Sequence, residues 1–252
     1  MIIAIIQARM GSSRLPKKIM LELEGKTALE RVIERVRACR LVDDIVIATT
    51  TETRDAETAS FCEKRGIKFF RGSENDVLDR FYRAALHFKA DQIVRVTSDC
   101  PMIDPAVIEK VISLHLKTKA DYTSNVLKES FPDGQDVEIL SFGALKKAWE
   151  SARLQSEREH VTTFIRNHPE IFKLQNVENG QDLSSKRWTL DQAEDYEFIK
   201  SIYKALVGKS PLFGMDEVLD YLRKHPELEK HNAHITRNEG YLKSLKQDRI
   251  VK

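Results

Sequence analysis

Short β-branched runs alternate with stretches of helical period from residue 1 to about residue 120, and this alternation constrains the fold more than any other feature. Residues 2–6 (IIAII) form the unbroken apolar run that a strand buried on both faces requires. Thr27 then precedes ALERVIERVRAC, where Leu29, Val32, Ile33 and Val36 recur at helical spacing and Glu30 completes a capping box. The rhythm repeats with a strand over 44–48, a helix in ETASFCEKRG ending at Gly66, and a short strand in IKFFRG. A helix in VLDRFYRAALHFKA, a strand in DQIVRVTSD and a helix in AVIEKVISLHLKT, with Pro105 near its start, follow. Such alternation predicts an α/β fold, with a mostly parallel sheet covered by helices on both faces.

After about residue 120 the rhythm changes. Strands are expected in 122–140 around the turn Phe131-Pro132-Asp133-Gly134, then helices at 144–153 and near 160–167. IFKLQNVEN reads as a strand, RWTLD as a strand end and QAEDYEFIKSIYKAL as a helix. An amphipathic helix starting at Asp216 and a polar end, KHNAHITRNEGYLKSLKQD, complete a chain without repeats, low-complexity tracts or a clear interdomain linker.

With 41% hydrophobic residues among 252, the chain can bury the core of one α/β domain. Its 41 Lys+Arg against 39 Asp+Glu leave a net charge of +2, too small a field to argue for nucleic acid or a membrane surface as partner. Cys39, Cys62 and Cys100 are odd in number and widely spaced, which suggests neither a disulfide framework nor zinc. The opening apolar run is too short for a signal peptide or a membrane span, so a cytoplasmic location is expected.

In open α/β sheets, ligands bind beyond the carboxyl ends of strands, so the polar clusters there come first. After the first strand, Gly11, Ser12 and Ser13 permit close backbone approach, while Arg9, Arg14, Lys17 and Lys18 offer positive charge to phosphate oxygens. Neither a Walker loop nor a dinucleotide fingerprint is present, and a solvated basic turn is the plain alternative. A second cluster, Thr97-Ser98-Asp99-Cys100-Pro101, follows IVRV. Asp99 is a candidate magnesium ligand or a simple turn residue, and Asp191 in RWTLDQAEDY a second ligand or a helix cap.

IIQARMGSSRLPKK resembles the A-R-x-x-S-x-R-L-P-x-K opening of the acylneuraminate and 3-deoxy-manno-octulosonate cytidylyltransferases. The likeness is nearest to the branch of spore coat polysaccharide biosynthesis protein F. It extends through GSENDVLDRFY, VRVTSDCPMIDP, FPDGQDVEILSF, SEREHVT, RWTLDQAEDYEFI and RNEGYLKSL, nearly the whole chain. Two departures stand out: Thr97-Ser98-Asp99-Cys100-Pro101 replaces the octulosonate enzymes' Q-G-D-E-P, and GSENDVLDRF is only loosely similar to their G-T-D-R.

The resemblance implies a Rossmann-like nucleotidyltransferase fold related to the GT-A fold, spanning 1–252. A small projecting part for dimerisation or acceptor binding is implied around 122–175, with a helical tail over 214–252. It places Ala8, Arg9, Gly11, Ser12, Ser13, Arg14 and Lys18 in the nucleotide loop, with Lys17 at a variable position, and adds Asp79 and Arg80. Arg14, Lys18 and Asp99 carry the catalysis, and Asp99 and Asp191 hold Mg²⁺. Asp133, Gln135, Asp136, Glu138, Arg158 and His160 face the acceptor, although alternate residues of a strand point to opposite sides and a histidine near a helix start is often structural. His231 and His234 are read as surface residues.

The implied reaction is cytidylyl transfer from CTP to a sugar acid or sugar phosphate by a homodimer, for a surface polysaccharide. A GT-A-type glycosyltransferase using a nucleotide sugar and a non-catalytic nucleotide-binding protein are the alternatives.

Overall fold

The computed structural model describes residues 1–251. In chain order the elements are β1 (Ile2–Gln7), β2 (Glu22–Leu23), β3 (Lys26–Thr27), α1 (Ala28–Ala38), β4 (Asp44–Thr50), α2 (Ala56–Lys64) and β5 (Lys68–Gly72). Then come α3 (Val77–His87), β6 (Gln92–Thr97), α4 (Pro105–Thr118), β7 (Tyr122–Ser124), β8 (Glu138–Ser141), α5 (Phe142–Ser151), α6 (Gln155–Glu159) and α7 (Thr163–Asn167). The last are β9 (Leu174–Asn176), α8 (Ala193–Leu206), α9 (Met215–Lys224) and α10 (Glu239–Lys246).

Seven strands form one sheet in the order β5-β4-β1-β6-β8-β7-β9. β1 lies inside it, parallel to both β4 and β6, which explains its lack of polar alternation. β8 runs antiparallel to both of its neighbours and makes the sheet mixed. Ala4 and Ile6 join one core with α1, α2 and α4, whereas Ile3 and Ile5 join another with α3 and α5, so helices cover both faces. Each fully buried Ile or Leu contributes about 1.5–3 kcal/mol to this packing.

The predicted capping box is formed: the Glu30 amide donates to Thr27 Oγ1 at 3.2 Å, and the Thr27 amide donates to Glu30 Oε2 at 2.7 Å. Asp104 caps α4 through the Ala106 amide at 2.8 Å.

Three expectations change. The 122–175 stretch contributes β7, β8 and β9 to the main sheet rather than projecting from it, because their backbone groups pair with β6 and with one another. RWTLD is not a strand: Trp188 donates to the Asp133 carbonyl at 2.7 Å and Leu190 to the Asp99 carbonyl at 2.8 Å, so the segment crosses between two partners instead of running beside one. The helix expected near 160–167 begins only at Thr163, as α7, and a further helix, α6, precedes it; between them stands Val161, whose φ of 57° is strained for a β-branched residue. Within the stretch expected as a helical tail, α10 packs against α6. Among the described residues, no helix is long and apolar enough to cross a membrane.

Candidate active site

Beyond the carboxyl ends of β1 and β6 lies a cleft of about 1180 Å³. The loop after β1 forms one wall. Its Ala8 and Met10 are buried, and the Met10 amide donates to Asp55 Oδ1 at 2.6 Å, which fastens the loop to the end of β4. Among the described residues, the amides of Gly11, Ser13 and Arg14 have no acceptor in the chain, so this wall presents free N–H groups. Ala8, Arg9, Gly11, Ser12, Ser13, Arg14 and Lys18, the residues expected in a nucleotide loop, all line the cleft. Lys17 instead pairs with Glu57 at 2.8 Å on the surface.

Lys18 occupies the floor. Its Nζ lies 2.8 Å from Asp99 Oδ2 and 2.6 Å from Asp191 Oδ1, so acids 92 positions apart in sequence converge on one cation. Arg14 Nη2 reaches the other Asp191 oxygen at 3.2 Å. Burial pulls the Lys18 pKa down, but the two carboxylates more than offset it and hold it above the usual lysine value. Burial pushes Asp99 up, and the opposing pull of Lys18 and the Thr97 hydroxyl keeps it below the usual carboxylate range.

The local backbone sets this convergence. The Asp99 carbonyl accepts from the Leu190 amide and, at 3.2 Å, from Thr189 Oγ1, tying the two acidic segments together. Asp195 accepts from the Asp191 and Gln192 amides at 3.0 and 2.9 Å as it caps α8, and receives Arg187 bidentately at 2.8 and 2.9 Å. Gly134, at φ +101°, lets the 133–136 turn approach: a Cβ there would stand 2.6 Å from the Trp188 carbonyl carbon.

The donor set suits a hard divalent cation. Asp99 and Asp191 provide oxygen ligands at one point, and among the described residues no cluster of three or more His, Cys, Asp or Glu could hold a metal. Two carboxylates completed by phosphate oxygens and water is how Mg²⁺ is usually bound.

Arg80 is 2% exposed, lines the cleft beside the loop and donates to the Ser73 carbonyl, with burial and Arg9 holding its pKa down to about 10. Asp79 is engaged elsewhere: Arg83 bonds it at 2.7 Å and Trp149 Nε1 at 2.8 Å, one helical turn away from the cleft-lining Asp76. Gln135 is also outside the cleft lining. It is fully buried, donating to the Met102 carbonyl at 2.7 Å and accepting from the Asp104 amide at 2.9 Å, so it braces the floor from below.

Asp133, Asp136, Glu138, Arg158 and His160 do line the cleft, each with a partner in the chain. Arg187 meets Asp133 at 3.0 Å, Arg237 meets Asp136 at 2.8 Å, and Arg95 and Tyr122 bond Glu138. Arg158 pairs with Asp76, and His160 Nε2 lies 3.0 Å from Ser244 Oγ.

Sequence reasoning missed the segment that closes the cleft. Asn238, Tyr241, Lys243 and Ser244 belong to the polar end, yet they line the cleft, with Ser244 bonded to Glu159 of α6 and Tyr241 against His160, while Arg237 behind them holds Asp136. The family-like RNEGYLKSL was the signal that these residues had work to do.

A family model described as Cytidylyltransferase matches residues 3–234. Spore coat polysaccharide biosynthesis protein SpsF of Bacillus subtilis is 34% identical over 233 residues, 90% of this chain and 95% of its own length. A 3-deoxy-manno-octulosonate cytidylyltransferase of Geobacter metallireducens is 36% identical over 112 residues, 44% of this chain and 43% of that enzyme. A solved cytidylyltransferase structure from Leptospira borgpetersenii superposes with a TM-score of 0.87 at 34% identity, covering 94% of this chain and 99% of that one.

Proposed function

Because this chain belongs to the cytidylyltransferase family, we propose that it transfers a cytidylyl group from CTP to an anionic sugar, a sugar acid or a sugar phosphate, for a surface polysaccharide. The acceptor class rests on the octulosonate enzyme's name and the pathway on that of the SpsF relative. The observation that carries the reading is the convergence of Asp99 and Asp191 on Lys18, facing a loop with free amides.

The loop amides, Arg14 and Lys18 receive the triphosphate, which a compact ammonium and a planar guanidinium grip in different ways. Asp99 and Asp191 would hold magnesium, whose charge offsets that on the α-phosphate and leaving group when bound. The acceptor oxygen bonds to the α-phosphorus as the bond to the β-phosphate oxygen breaks, and pyrophosphate leaves. Lys18 and Arg14 stabilise the charge that gathers on pyrophosphate. Asp133 and Asp136, beside the floor, accept hydrogen bonds from sugar hydroxyls.

The test is pyrophosphate release with Mg²⁺ and each of the four NTPs, against a panel of 2-keto sugar acids and sugar 1-phosphates. CTP-selective release that needs an acceptor is the expected result. Nucleotide binding with no release across the panel would favour a non-catalytic protein, and turnover of a finished nucleotide sugar in place of CTP would favour a glycosyltransferase.

A further inference from the structure

The cations lining the cleft differ in how they are balanced. Arg9, Arg14, Lys18, Arg95, Arg158 and Arg187 each have a carboxylate within 4.0 Å. Among the described residues, Arg80, Arg166, Lys243 and Arg249 have none; Arg80 lies beside the β1 loop and the other three on the side of α7 and the chain's end. Arg166, at the end of α7, is half-buried and lies 5.3 Å from the Tyr241 ring centroid, a cation–π contact, while Glu138, itself paired with Arg95, attracts it from beyond ion-pair distance. Gly240, Lys243 and Ser244 of α10 and Gln247, which ends it, follow one another at i, i+3, i+4 and i+7, and all four line the cleft. The wall is fixed rather than draped: His160 meets Tyr241 edge to face at 5.0 Å, and Asp248 accepts from the Ser156 amide and hydroxyl at 2.9 and 2.6 Å.

Resting on the cytidylyl-transfer reading, we propose that this wall is the anion subsite for the acceptor: its carboxylate or phosphate is received by Arg166 and Lys243, apart from the triphosphate site at the β1 loop. Both acceptor classes carry such a group, and the cations on this side of the cleft, none of them in a direct ion pair, are complementary to it. Arg166 supplies a forked donor and Lys243 a point charge, so one site serves a planar carboxylate and a tetrahedral phosphate.

The test titrates inorganic phosphate by calorimetry into the full chain preloaded with CTP and Mg²⁺. Saturable binding is expected, weakened at least tenfold in Arg166→Gln and in Lys243→Ala while CTP affinity stays within twofold of wild type. Lys243 is exposed, so its variant reports on the subsite even where Arg166→Gln costs folding stability. 3-Deoxy-manno-octulosonate and glucose 1-phosphate then compete with phosphate, and the one that displaces it names the source of the anion. Absence of saturable phosphate binding, phosphate binding unmoved by both variants, or failure of both sugars to compete would overturn the subsite. CTP that does not bind, seen before any phosphate is added, would overturn the cytidylyl reading and the subsite with it. CTP that binds while phosphate does not would overturn the subsite alone.

Discussion

At the scale of single residues, Lys18 stands where a cation between Asp99 and Asp191 would stand. On the proposed reading it would compete with a divalent metal for the same oxygens in the nucleotide-free protein. Lys18→Met is expected to tighten Mn²⁺ binding to the nucleotide-free protein, measured by calorimetry, while lowering turnover roughly 10²–10³-fold through lost charge stabilisation. Unchanged metal affinity would show that the ammonium does not guard the acids. Asp99→Asn keeps the shape and removes the charge, so turnover should fall by roughly 10²–10⁴-fold with an unaltered circular dichroism spectrum. Near-normal turnover would remove Asp99 from the metal site. These residues were legible in the sequence because they sit in short polar stretches directly after buried strands. Asp79 and Gln135 were misplaced because neighbours in sequence shared a motif while only one of each pair, Arg80 and Asp136, points into the cleft.

At the scale of elements, the turn at Gly134 sets how closely the segment from 133 to 136 approaches Trp188 and Thr189. Alanine there adds a clash with backbone to an unfavourable positive φ. Gly134→Ala should lose roughly 2–4 kcal/mol of stability in urea melts. It should also weaken metal binding, since Asp191 follows the displaced strip; a loss of stability with metal affinity intact would separate the turn from the site. Strands and helices before residue 120 were legible because their apolar periods match their burial. Val161 and the place of α10 were not: a valine with positive φ is imposed by tertiary packing, and the cations of α10 look like any solvated helix face until α6 is laid beside them.

At the scale of the whole molecule, His115 joins α4 to the sheet, with Nδ1 3.0 Å from Thr123 Oγ1 and Nε2 2.9 Å from Gln92 Oε1. Burial pushes its pKa down to about 4 despite Asp121, against 6.5 for an ordinary histidine. Between those values the unfolded chain binds a proton that the folded chain refuses, so this contribution is whole above the unfolded pKa and is lost as pH falls towards the folded one. The stability gap between wild type and His115→Gln in urea melts is expected to narrow from about pH 7 to about pH 4.5; a constant gap would show an imidazole that titrates as in water. The cleft itself joins two kinds of construction. Its floor is stitched by backbone bonds between Asp99 and Leu190, deep in the fold, whereas the wall from 236 to 251 meets the rest through side chains and a few bonds near its end. Drift in that last stretch reshapes one side of the cleft and leaves the floor alone. Lineages of such an enzyme therefore have a place to change their diet without relearning their chemistry.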